Sequence, residues 1–272
     1  MLRLALFPPP PQEYRYEVKQ LDLGRFGKVD YARWMHPGWT LDVPSEALVA
    51  GLRQFIAEGD VCLDIGAHQG DTAVPIALAC GASGAVIALE PNPHVFPVLE
   101  ENSRLNPDRQ RIVPLPFAAT PTDGPVTFWY SDPGFHNGGS HAGLPRWRHS
   151  HMMPLTVEGR AIVPLLEREC GDLIGRLRYV KVDAEGADLQ ILYDLRPLLM
   201  SRRPHIRAEV FRKYDADHRR EMHDFLTGLG YDVFRYVEPQ IFGERLGRDD
   251  MLKAKTFDII AAPRQTAGPR PA

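Results

Sequence analysis

Three short blocks carry acids and glycines at spacings that suit a cationic, ribose-bearing ligand. The first is Asp64-Ile65-Gly66-Ala67-His68-Gln69-Gly70-Asp71-Thr72. Glycine at 66 and 70 lets backbone come close to a ligand and lets a helix pack on a strand, and Asp64 supplies a carboxylate at the strand's end. The dinucleotide fingerprint G-x-G-x-x-G has its central glycine where His68 stands here, because a pyrophosphate must approach the helix N-terminus. A bulky His68 flanked by Asp64 and Asp71 speaks against a phosphate and for a cofactor without one, such as a sulfonium amino acid. The bland alternative is an ordinary glycine-containing turn.

The second block, Leu89-Glu90-Pro91-Asn92-Pro93, follows about twenty-odd residues on, the spacing of an acid that grips ribose hydroxyls. Capping offers another reading, since Asn92 can cap a helix and Pro93 suits its first turn. The third block is Tyr179-Val180-Lys181-Val182-Asp183-Ala184-Glu185-Gly186. Asp183 and Glu185 could share one face at the strand's end, where they would accept a proton from a nucleophile, position it, or hold an ammonium group. A solvated turn before a helix N-terminus also favours acids. Lys181 lies in an apolar strand and needs a carboxylate partner if buried, a structural role. Glu209, near the end of His205–Val210, would face the same cleft if the register allows. His136, His141, His149 and His151 match no compact zinc spacing, so no metal is expected.

The elements that must position these groups alternate. Val61–Ile65 reads as a strand, about Thr72 to Cys80 as a helix, Ala85–Leu89 as a strand, and a helix closes near Asn106. Ile112–Ala118 is a strand candidate weakened by Pro114 and Pro116. After Val126–Tyr130, a polar loop over 131–151 precedes helix Ile162–Cys170, strand Tyr179–Val182, helix Leu189–Leu199 and strand His205–Phe211. Helix Arg219–Leu229 and strands Tyr231–Val237 and Thr256–Ala261 follow, the last two read as an antiparallel edge pair. Upstream, Pro44–Ala57 has helical spacing, and four prolines at 8–11 favour an extended arm. Such alternation predicts right-handed crossovers and a parallel sheet covered on both faces: a doubly wound α/β fold.

A chain of 272 residues, 44% hydrophobic and 25% charged, can bury a full core. Its net charge of −3 offers no field to hold a polyanion, so nucleic acid is not expected as a partner. Three scattered cysteines form no disulfide framework, and no segment has the roughly 20 apolar residues of a membrane span. The expectation is a soluble, cytoplasmic protein that does not engage membranes.

These blocks, with Asn102, Leu105-Asn106 and Leu229-Gly230-Tyr231, resemble the FkbM-type family of S-adenosylmethionine methyltransferases from about Asp60 to Ala261. The resemblance implies the class I methyltransferase sheet, seven mostly parallel strands with helices on both faces and an antiparallel last strand. It divides the chain into an arm and cap helix (1–58), a methyltransferase domain (59–262, with 131–151 as a loop insertion) and a flexible tail (263–272). It implies S-adenosylmethionine as cofactor, with Asp64, Gly66 and Gly70 along the methionine part, Glu90 on ribose and Asn92 beside adenine. Ala67, His68, Asp71, Thr72, Pro91 and Ala118 complete the expected cofactor set. His68 departs from the Asn more usual in the family.

Asp183, Glu185 or Glu209 would remove the acceptor's proton, and the activity implied is O-methylation of a hydroxyl on a small metabolite, sugar or glycan. The rivals are an NAD-dependent oxidoreductase, which His68 opposes, and a non-catalytic S-adenosylmethionine-binding protein. Trp34 to Trp39, with His36 and Gly38, and the loop residues Asn137, His141, Trp147 and Arg148 are candidates for a lid and acceptor site. Alternatively, those aromatics close the edge of the core.

Overall fold

The computed structural model describes residues 10–38, 44–136, 138–139 and 153–264. It begins with an antiparallel hairpin, β1 (Tyr16–Asp22) and β2 (Lys28–Trp34). Helix α1 (Glu46–Leu52) follows, its first turn capped by Ser45, whose Oγ accepts from Leu48 N–H at 3.2 Å.

The doubly wound core starts at β3 (Val61–Ile65). Every residue of β3 and of β4 (Ala85–Leu89) is buried, as expected of strands covered on both faces. Helix α2 (Ala73–Cys80) joins them, and α3 (Phe96–Arg104) leads to β5 (Ile112–Leu115). The candidate strand over 112–118 is therefore two: after Pro116 the chain leaves the main sheet, and β6 (Ala118–Thr120) enters a second one. That sheet has the order β6-β9-β7-β8, with β7 (Gly124–Tyr130), β8 (Gly138–Gly139) and β9 (Met153–Ala161). The polar loop thus emerges between paired strands β7 and β9.

Helix α4 (Ile162–Ile174), β10 (Leu177–Val182), helices α5 (Asp188–Asp194) and α6 (Arg196–Arg202), and β11 (His205–Val210) continue the rhythm. The single helix expected over 189–199 is broken in two, with Pro197 in the first turn of the second. Last come α7 (Ala216–Gly228), β12 (Tyr231–Val237), β13 (Ile241–Arg245) and β14 (Phe257–Pro263).

The main sheet has eight strands in the order β13-β12-β14-β11-β10-β3-β4-β5. Strands β11, β10, β3, β4 and β5 are parallel, and β14 runs antiparallel between β11 and β12. Two expectations are corrected. The sheet gains an eighth strand, β13, antiparallel on β12, and the β12–β14 pair is not at the edge, because β14 slots inside it. One face, with Leu63, Val180 and Ala208, packs on Leu165, Leu192, Leu199 and Leu226 of α4 to α7. The other face, with Cys62, Val86 and Tyr179, packs on Val49, Leu52, Ile76 and Ala77 of α1 and α2.

The hairpin is fixed to this core by side-chain amides. Asn102 Oδ1 accepts from Ala32 N–H and its Nδ2 donates to Ala32 C=O, each at 2.8 Å. Asn106 makes the same pair with Asp30, and Gln69 Oε1 accepts from Trp34 N–H at 2.7 Å. Trp34 is wholly buried.

Candidate active site

A cavity of about 1010 Å³ runs along the carboxyl edge of the parallel strands. Its floor is the turn after β3. Gly66 and Ala67 donate their N–H groups to Leu89 C=O, and Asp183 N–H donates to Ile65 C=O, which ties the ends of β3, β4 and β10 together. Gly66 has φ +79, and a Cβ there would collide with the carbonyl oxygen of Asp183. Only glycine allows this approach.

Glu90 stands at the end of β4 and is buried. His68 N–H donates to its Oε2 at 2.9 Å and Asn92 N–H to its Oε1 at 2.8 Å. Both oxygens are thereby oriented, each with acceptor capacity left for a ligand in the cavity. Burial pushes the carboxyl up to about 7 against those two hydrogen bonds. Gly66, His68, Asp71, Thr72, Pro91, Asn92 and Ala118 share the wall with Glu90.

Asp64, Ala67 and Gly70 are not on that wall. Asp64 is wholly buried: Thr72 Oγ1 donates to its Oδ2 at 2.6 Å, and Lys181 Nζ lies 3.2 Å from its Oδ1. Lys181 also donates to Gly66 C=O at 3.1 Å and stands 3.6 Å from Asp183 Oδ2. Burial opposes the charge on Lys181, but Asp64 and Asp183 outweigh it and hold the ammonium above the usual lysine range. The carboxylate partner expected for Lys181 is present. Asp71 is the acid that reaches the cavity: its Oδ1 is buried without a hydrogen-bond partner, and burial raises the carboxyl to about 7.

Asp183 and Glu185 both line the cavity where β10 ends. Glu185 takes the left-handed region at φ 50, an uncommon and strained setting for a non-glycine residue. Buried Asp188 sustains the turn, its two oxygens accepting from Ala184 N–H at 3.2 Å and Gly186 N–H at 3.1 Å. Burial, then Asp183, lifts Glu185 to about 7, while Arg212 and Lys213 pull it down. Glu209 is off the wall and accepts from Thr256 Oγ1 at 3.0 Å, with burial raising it to about 8.

Of the lid candidates, His36 is bound to Asp132 at 3.0 Å and stacks at 4.8 Å on His136, a residue of the His-rich stretch that reaches the cavity. Trp39, Asn137, His141, Trp147, Arg148, His149 and His151 lie outside the described residues. Among the described residues no group of three or more His, Cys, Asp or Glu is arranged to hold a metal, and no helix is long and apolar enough to cross a membrane. The sequence reading missed the far end of the cavity, where Arg207, Tyr236, Glu238 and Asp258 stand. Its one signal was Arg207 on the polar, half-buried face of the alternating strand His205–Val210.

A sheet with β3 central, a glycine turn after it, acids ending β4 and β10, and an inserted antiparallel strand defines the class I methyltransferase architecture. The model of the FkbM methyltransferase domain matches residues 64–233, and the chain belongs to that family. Membership sets aside the NAD oxidoreductase reading, and the cofactor that goes with it is S-adenosylmethionine. The residues fit that group: Glu90 has oriented oxygens for two hydroxyls, and the partnerless Asp71 oxygen suits an ammonium.

The chain is 31% identical over 144 residues to the hexuronic acid methyltransferase AglP of Haloferax volcanii, covering 53% of this chain and 53% of that one. It thus spans about half the length of this curated relative. Among solved structures it is similar to the FkbM methyltransferase of Methylobacillus flagellatus (TM-score 0.42, 14% identity, 77% of this chain and 49% of that one). Another is the fibrillarin of Aeropyrum pernix, with S-adenosylmethionine bound (TM-score 0.42, 14% identity, 93% and 97%).

Proposed function

We propose that this chain transfers a methyl group from S-adenosylmethionine to a hydroxyl oxygen of a sugar, glycan or small metabolite. The observation that carries the reading is one continuous cavity with Glu90 towards one end, Asp71 beside the glycine turn, and Asp183 and Glu185 beyond it. The relative's printed activity on hexuronic acid supports a sugar as acceptor. Three buried free thiols support a reducing, cytoplasmic site of action.

S-adenosylmethionine supplies a methyl carbon on cationic sulfur, and the electron pair of the breaking C–S bond stays on sulfur. Glu90 holds the ribose hydroxyls, and Asp71 accepts from the α-ammonium. Glu185 takes the hydroxyl proton as the acceptor oxygen forms its bond to carbon, since a neutral alcohol is a weak nucleophile. The buried edge excludes water and aligns the two reactants, an effect worth on the order of 7–11 kcal/mol when the geometry is right. Asp183, beside Lys181, shapes the negative field that raises Glu185.

The test is calorimetric titration with S-adenosylmethionine, S-adenosylhomocysteine and NAD, followed by an assay for S-adenosylhomocysteine release with candidate acceptors. Binding of the first two and not NAD, with acceptor-dependent release, is expected. Binding of NAD alone would end the proposal.

A further inference from the structure

The cavity is larger than a cofactor alone requires. Small-molecule sites run from about 300 to 1,000 Å³, and this one, at about 1010 Å³, continues past Asp183 to strands β11, β12 and β14. There the wall changes character. Arg207 faces the cavity from β11, in register with Lys181 on β10. Asp258 grips one side of its guanidinium, 2.7 Å from Nε and 2.6 Å from Nη2, and Arg207 Cζ lies 3.9 Å from the centre of the Tyr236 ring. Arg207 Nη1 is left with a long contact of 3.5 Å to Glu238 Oε1, and the Tyr236 hydroxyl donates to that oxygen at 2.9 Å.

From this arrangement we infer that Arg207, Tyr236, Glu238 and Asp258 form the acceptor subsite, and that it takes a neutral polyhydroxylated ligand, a carbohydrate ring without a carboxylate. The inference rests on the methyl-transfer reading above and narrows it. Two carboxylates already answer Arg207, the wall's other guanidinium, Arg235, is held by Glu244 at 3.0 Å, and Asp183 stands between this wall and the glycine turn. A carboxylate on the ligand would enter among three acids, with both guanidiniums of this wall already paired to carboxylates. Its desolvation would be poorly compensated.

A hydroxyl suits the wall from either side. It donates to Glu238 or Asp258 and accepts from Arg207 Nη1, forming hydrogen bonds strengthened by the ionised partner and needing no net charge on the ligand. Vicinal hydroxyls of a sugar ring present donors and acceptors at the spacing of such neighbouring groups. The same contacts set which hydroxyl is turned towards Glu185.

The experiment measures S-adenosylhomocysteine release with p-nitrophenyl glycosides of glucose, galactose, mannose, fucose and rhamnose, and with p-nitrophenyl glucuronide. At least one neutral glycoside is expected to exceed the glucuronide tenfold or more in kcat/KM. Glu238→Gln and Asp258→Asn are expected to raise KM for that glycoside tenfold or more while S-adenosylmethionine affinity is unchanged. Glu238 is half-exposed, so its variant keeps the test readable if Asp258→Asn fails to fold. Preference for the glucuronide, unchanged KM in the folded variants, or intact donor binding with no transfer to any glycoside would each overturn the acceptor assignment. Failure to bind S-adenosylmethionine would instead overturn the methyl-transfer reading.

Discussion

Asn102 holds Ala32 by both polar groups of its backbone, accepting the N–H and donating to the C=O at 2.8 Å. Its Nδ2 also donates to Gln69 C=O at 2.8 Å, inside the glycine turn after β3. Together with Asn106 on Asp30 and Gln69 on Trp34, side-chain amides replace a third strand along β2.

Replacing Asn102 by Ala leaves these buried groups without partners. An unmet buried group costs about 1–3 kcal/mol, so a loss of about 3 kcal/mol is expected in urea unfolding. Donor affinity should fall with it, because the Gln69 turn loosens. A loss under about 0.5 kcal/mol would show that water replaces the amide.

Glu185→Gln is expected to lower kcat by about 10²- to 10⁴-fold with donor binding intact. The base acts when ionised, so wild-type kcat should rise with pH through about 7 and level off above it. The glutamine variant should lack that limb. Glu209→Gln, off the cavity wall, should keep most of the turnover. Equal turnover in Asp183→Asn, Glu185→Gln and wild type would refute the assignment.

Lys181→Met strands the wholly buried Asp64 without its cation. Breaking a buried pair from one side costs about 3–5 kcal/mol. The double variant Asp64→Leu/Lys181→Met should recover much of that in urea titrations, giving a strong coupling energy. Additive losses would mean the two residues act independently.

The free protein should lose stability as pH rises. Asp71 and Glu90 titrate at about 7 and Asp188 at about 8 in the fold, against about 4 when unfolded. The folded state therefore binds these protons more tightly. Their contribution is fully present below pH 4 and is lost as pH climbs through 7 to 8. Urea midpoints for wild type and Asp188→Asn should separate on this limb, the variant falling less between pH 5 and 8.5. Parallel curves would count against the assignment.

The parallel strands were legible because burial on both faces forces continuous apolar runs, as in Val61–Ile65 and Ala85–Leu89. Strand β13 was not: only Ile241 is buried, and the rest reads as polar connection. The hairpin alternates weakly and draws stability from distant amides, which no local pattern signals. Within the site, Glu90, Asp183 and Glu185 follow from position at strand ends. The partition between Asp64 and Asp71 depends on which way each points, and Asp64 is consumed by Lys181 and Thr72. Arg207 and Asp258, about fifty residues apart in sequence, meet only because β14 is threaded beside β11.

Where Gly66 lies against the Asp183 carbonyl, main chain meets main chain with no side chain between. The separation between the ends of β3 and β10 is consequently set by peptide geometry and not by any rotamer. Side chains of the outer wall can therefore change while the spacing of these two strand ends stays as built.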